Sequence, residues 1–128
     1  MAKRQVIEVP GVNHGANPIP LAVKVGNMVF SSGIMGVDPE AHGYPAEPEK
    51  QAELMFRHIR SIMEKAGGSP ENIAHMTVFL KDLKYREALN VEWNKMFPDE
   101  HSRPARHTLR WELGGDMLMQ CEIVAVLD

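Results

Sequence analysis

Arg106 closes the run Ser102-Arg103-Pro104-Ala105-Arg106-His107, and its guanidinium is the group in this chain most readily turned to ligand binding. Pro104 fixes its own φ and drives Arg103 towards extended geometry, so Arg106 enters a strand on a defined backbone. A guanidinium held that way presents a planar fork of donors that matches a carboxylate. The competing reading is a structural arginine, either solvated or paired across a subunit boundary, for instance with Glu122. The six histidines, His14, His42, His58, His75, His101 and His107, show no His-Glu-x-x-His spacing, so no metal site is implied. His58, on the polar side of a helix, and His42, in a loop, read as solvated. Cys121 is the sole cysteine; it reads as a small packed residue rather than a nucleophile, and it excludes an intrachain disulfide and a thiolate zinc cluster.

These groups must be positioned by a chain of 128 residues, of which 44% are hydrophobic, enough for one domain over 1–128 with a real core. A net charge of −3 and no basic cluster beyond Lys3-Arg4 argue against a nucleic-acid partner. Too few apolar residues precede Pro10 for a signal h-region, and no apolar stretch would span a bilayer, so a cytoplasmic protein without a membrane partner is expected.

Leu21 to Val25 and Met28 to Ser32 read as a hairpin around Gly26-Asn27. Gly33 to Pro48 holds three Gly and three Pro, a long excursion of the kind that borders binding sites. An amphipathic helix follows from Pro48 to Ala66, with Ala52, Met55, Ile59, Ile62 and Ala66 on one stripe. Ile73 to Leu80 reads as a strand whose one face carries Ile73, His75, Thr77 and Phe79. A second helix spans about Tyr85 to Met96, with Tyr85, Leu89, Trp93 and Met96 aligned. Two strands, roughly Arg106 to Leu113 and Met117 to Leu127, close the chain; Trp93 and Trp111 are expected to anchor core or interface contacts. This order predicts an α+β sandwich with two helices on one face of a mixed sheet. The last strand is largely apolar on both faces, Leu118, Gln120, Glu122, Val124 and Val126 against Met117, Met119, Cys121, Ile123 and Ala125. Two helices cover only one face, so self-association through the other is expected, with a site at the subunit boundary.

In order and spacing, Val25-Gly26-Asn27-Met28-Val29-Phe30-Ser31-Ser32-Gly33, the Gln51 helix ending in Ala66-Gly67, Val78-Phe79-Leu80-Lys81-Asp82-Leu83, Asn90 with Phe97, Pro104-Ala105-Arg106 and Glu122-Ile123-Val124-Ala125 closely resemble the Rid/YjgF family of reactive intermediate deaminases, also labelled L-PSP endoribonuclease. The resemblance implies a chorismate-mutase-like fold and a homotrimer whose sheets line a central barrel, with clefts between subunits. It also implies cofactor-independent hydrolysis of enamines or imines to 2-oxo acids and ammonia. Carried over by position, Arg106 matches the arginine that holds the substrate carboxylate, Ser32 and Gly33 match the pocket turn, and Asn90 matches a pocket-side asparagine. The same alignment places His14 and His107 near the pocket, where a neutral imidazole is a candidate proton shuttle.

Three positions depart from the family pattern. Gln120 stands where the water-activating acid is expected, Ile19 falls near the pocket-capping aromatic, and His107 or Thr108 replaces a Cys. A glutamine orients water but takes no proton. Gln120 therefore holds ligand or water, or else satisfies a backbone group at the interface, and Glu122 is an alternative base two residues further along the same face. Two functions follow: a deaminase of small carboxylate-bearing enamines and imines, or a non-catalytic small-carboxylate-binding or protein-interaction member. A ribonuclease has little support, since neither a basic groove nor a paired histidine and carboxylate motif is present.

Overall fold

The computed structural model describes residues 3–128. Its seven strands are β1 (Gln5–Ile7), β2 (Ala22–Val25), β3 (Met28–Ser31), β4 (Ile34–Met35), β5 (Ile73–Leu80), β6 (Ala105–Arg110) and β7 (Met119–Val126). The helices are α1 (Pro48–Ala66) and α2 (Arg86–Met96). All strands join one sheet in the order β1-β2-β3-β7-β5-β6, with β4 pairing β7 beside β3. Only β5 and β6 run parallel, so the sheet is mixed and the fold α+β, as expected. The two closing strands are not neighbours, because β5 lies between them.

Pro48 begins α1 where its missing N–H costs nothing. The helix stops at Gly67, whose φ of 88° lets the Gly67 and Gly68 amides turn back to the carbonyls of Glu64 and Met63. The stripe from Ala52 to Ala66 is buried as its spacing requires, against the sheet face made by Val29, Met76, Val78, Cys121 and Ile123. The opposite face has no helix over it. There Val6, Val23, Phe30, Val124 and His75 form one cross-strand row, and Val6, Phe30 and Val126 are 59%, 39% and 41% exposed. Among the described residues, no helix is long and apolar enough to cross a membrane.

Several expectations are corrected. Ile73 does not share a face with His75: a bulge makes Ala74 an extra residue, so Ile73 pairs with Ala125 in the core while His75 pairs with Val124 on the open face. His58 is not solvated but 2% exposed, its Nε2–H donating to the Val37 carbonyl at 2.7 Å. The glycine- and proline-rich excursion crosses α1 there, so the polar-looking side of that helix is covered. Of the core or interface contacts expected of Trp111, the core is excluded, since Trp111 is 62% exposed with its ring edge-on to Phe79. Tyr85 falls in a 3₁₀ turn ahead of α2, and β1 and β4 are strands too short for periodicity to reveal.

Gln51 fixes the excursion in place. Its fully buried side chain donates from Nε2 to the carbonyls of Pro45 (2.8 Å) and Asp116 (2.9 Å) and accepts at Oε1 from the Leu118 amide (3.0 Å). Gly36 approaches the Gln51 backbone so closely that a Cβ there would run into its carbonyl. Replacing Gln51 by Leu strands two carbonyls and one amide, at about 1–3 kcal/mol per unsatisfied group. Chemical denaturation of Gln51→Leu is expected to show a loss of about 3 kcal/mol or more; a loss below 1 kcal/mol would rule the amide out as a principal tie.

His58 makes stability depend on pH. Its pKa lies below the ordinary 6.5, chiefly because burial disfavours the imidazolium, with the Val37 hydrogen bond opposing. The unfolded chain then takes up the proton first, so stability falls as pH drops below about 6.5 and levels off under the folded-state pKa. Between pH 7.5 and 5.5 the parent should lose more Tm than His58→Gln; equal losses would refute the assignment.

Candidate functional site

Arg106 is the second residue of β6, the edge strand, and pairs with fully buried Met76, so its side chain stands on the helix-covered face. There its Nη1 donates to Oδ1 of Asn90 at 2.8 Å, and its Cζ lies 4.7 Å from the centroid of the Trp93 ring. Asn90 and Trp93, three residues apart on α2, project along one stripe and clamp the guanidinium by a hydrogen bond and a cation–π contact. Burial, and then the nearby Arg86 charge, lowers the Arg106 pKa. Among the described residues no carboxylate lies within ion-pair distance of it, and the remaining N–H donors make no hydrogen bond to protein. The structure therefore shows a half-buried cation, oriented by neutral groups, with most of its fork unspent.

A second group of expected residues forms around a bulge. β7 pairs with β3 through Phe30 and Val124 and then with β4 through Ile34 and Cys121. Three residues, Ser31, Ser32 and Gly33, thus stand opposite two, Glu122 and Ile123. The Ser31 hydroxyl accepts from the Ile123 amide at 2.9 Å, replacing the lost ladder bond. Ser32 is pinned twice, its amide to the Leu21 carbonyl and its hydroxyl to the Pro20 carbonyl, both at 2.8 Å. Beside that anchor Ile19 is 49% exposed. The Gln120 side-chain amide lies against Gly33, so a Cβ there would push that amide aside. The Gln120 amide itself has no hydrogen-bond partner among the described residues.

The sheet keeps these two groups apart. Gln120 pairs with Phe79 on the open face, whereas Arg106 pairs with Met76 on the covered face, three residues away along β5. That offset is roughly 10 Å along the strand, in addition to the sheet thickness. Glu122 likewise faces away from Arg106 within one chain. It shares an open-face row with Thr77 and His107, since Thr77 pairs with both. His107 is exposed on that row and not beside the Arg106 guanidinium. His14 lies in the loop before β2, with Nε2 shielded from solvent and unpartnered. Cys121 packs beneath the helices with its thiol pKa pushed far up by burial, which removes thiolate chemistry. Trp93, expected to anchor core or interface contacts, does belong to the core, but the sequence reading missed its contact with Arg106; its spacing of three from Asn90 is the signal that would have found it.

The chain matches the family described as Endoribonuclease L-PSP over residues 15–127. It is 33% identical over 125 residues to the RutC family protein PM1466 of Pasteurella multocida, covering 95% of this chain and 97% of that one. Escherichia coli K12 TdcF, named "Putative reactive intermediate deaminase TdcF", is 33% identical over 126 residues, 96% of this chain and 97% of its own. The crystal structure of E. coli TdcF with bound serine superposes with a TM-score of 0.87 at 29% identity, covering 97% of this chain and 99% of that chain. RidA from the Antarctic bacterium Psychrobacter sp. PAMC 21119 gives 0.87 at 30% identity, with 97% and 100% covered. A family match across 15–127, which spans Arg106, Asn90, Gly33 and Gln120, establishes that this chain belongs to the L-PSP, or Rid/YjgF, family.

Proposed function

We propose that the protein hydrolyses small carboxylate-bearing enamines and imines to 2-oxo acids and ammonia, in pockets shared by neighbouring copies of a homotrimer. The carrying observation is the Arg106 guanidinium, oriented by Asn90 and Trp93 and left without an acidic partner among the described residues. A relative of the same fold was crystallised with serine, itself a small amino carboxylate. The exposed apolar sheet face supplies a surface for association, and Arg106 sits at the strand edge where a second copy's Ser31–Gly33 bulge and Gln120 can meet it.

In this reading Arg106 binds the substrate carboxylate through a charge-assisted fork and fixes the adjacent carbon. An enamine first tautomerises to the imine, a proton leaving nitrogen as one is added on carbon. Water orients on Gln120 and the Gly33 backbone and adds to the imine carbon, one of its protons passing to nitrogen to give a carbinolamine. The hydroxyl proton then moves to nitrogen as the C–N bond breaks, releasing ammonia and leaving the 2-oxo acid. Gln120 accepts no proton, so the contribution here is orientation, with the water proton moving to the departing nitrogen directly or by way of His14 or His107. Orientation and proton relay together are worth about 10²–10⁴, which suffices for intermediates that also hydrolyse unaided.

One observation favours a second reading, a carboxylate-binding or protein-interaction member without catalysis: the Gln120 amide fills the place of the base. Assays on enamines released in situ by a serine or threonine dehydratase separate the two. Arg106→Ala is expected to lose at least about 100-fold in kcat/KM while far-UV dichroism and oligomeric state hold; unchanged rates would remove the anchor. Gln120→Glu, nearly isosteric against Gly33, is expected to raise a rate already present in the parent. Activity found only in Gln120→Glu would sink the enzymatic reading of the natural chain.

A further inference from the structure

Arg86 opens α2 four residues before Asn90 and seven before Trp93, so the three residues lie along one helical stripe. Two members of that stripe already clamp Arg106. From this juxtaposition we infer that the pocket is built for acids carrying two carboxylates, Arg106 holding one and Arg86 the other. The inference rests on the carboxylate-anchor reading above and names its substrate class.

Charge supports it from three directions. The ion pairs among the described residues join Lys50 to Glu53, Arg57 to Glu53, Lys95 to Glu92 and His101 to Glu100, and none engages Arg86 or Arg106. After burial, the Arg86 charge is the second cause that lowers the Arg106 pKa, as a like charge one helical turn from Asn90 would. A cation in the first turn of α2, where Glu87 is the acidic residue, also opposes the helix dipole, and an anion bound to Arg86 would relieve that opposition. A monocarboxylate neutralises half of this charge pair; a dicarboxylate neutralises all of it, and each Arg fork accepts a carboxylate in the same bidentate manner. Arg86 is exposed, so its carboxylate would sit at the pocket mouth and Arg106 would take the deeper group beside the reacting carbon.

The test compares imines of two and of one carboxylate, generated in situ by amino-acid oxidases from aspartate and from alanine. The four-carbon diacid imine is expected to be favoured at least 10-fold in kcat/KM. Arg86→Gln should bring that ratio close to one, and Arg86→Lys should retain most of it. A ratio at or below one in the parent, or a ratio that Arg86→Gln leaves unchanged, overturns the inference. Calorimetric binding of succinate against propionate gives a readout independent of turnover, with succinate expected to bind at least 10-fold more tightly and the margin to vanish in Arg86→Gln. Tighter succinate binding without hydrolysis of either imine would end the deaminase reading and leave the dicarboxylate assignment standing. Arg106-dependent hydrolysis with equal binding of both acids would do the reverse.

Discussion

Two segments with little regular structure of their own meet at one buried side-chain amide. Gln51 spends both N–H donors and its oxygen on Pro45, Asp116 and Leu118, joining the start of α1 to the excursion before it and to the connection that feeds β7. An amide suits this place because it offers donors and an acceptor in one plane; a carboxylate has no donor for the two carbonyls, and a hydrocarbon has neither. With that connection held, β7 enters the sheet at Met119 in register, and the placement of Gln120 on the open face follows from the alternation along the strand. Gly36, pressed against the same helical turn, shows how little slack the arrangement has.

The second constraint is the one-residue surplus of Ser31–Gly33 over Glu122–Ile123. A continuous ladder would have run β3 straight into β4 and left no irregular backbone to cradle anything. Instead, hydroxyls of two serines take over backbone partnerships, and the glycine makes room for a long side chain from the neighbouring strand. Arg106 is held differently, by groups on α2 that carry no charge, so its own charge is left for a ligand. On the proposed reading, the site would have one half made by strand irregularity and one half made by helix packing.

Much of this was legible before any coordinates. The helix from Pro48 to Ala66 follows from its stripe and its Pro and Gly boundaries, and the apolar-on-both-faces character of the last strand gave the uncovered sheet face. Arg106 stood out by its place after Pro104 at the start of a strand, whereas Asn90, Gly33 and the role expected of Gln120 came by resemblance rather than by pattern. What escaped the sequence are features of tertiary origin. His58 looked solvated because helical periodicity places it on the polar side, while the covering chain is a loop whose course no local pattern predicts. Ile73 switched faces because a single unpaired residue, Ala74, resets the alternation. Gln51 looked like any polar residue in the first turn of a helix, since its three partners are separated from it by six, sixty-five and sixty-seven positions.

The sheet that carries Arg106 on one face and Gln120 on the other also acts as a partition. A lone folded chain holds both groups on opposite faces of its sheet. On the proposed reading, dilution alone is then an inhibitor: lowering the concentration of the protein empties the pockets of half their lining without altering, unfolding or blocking any residue.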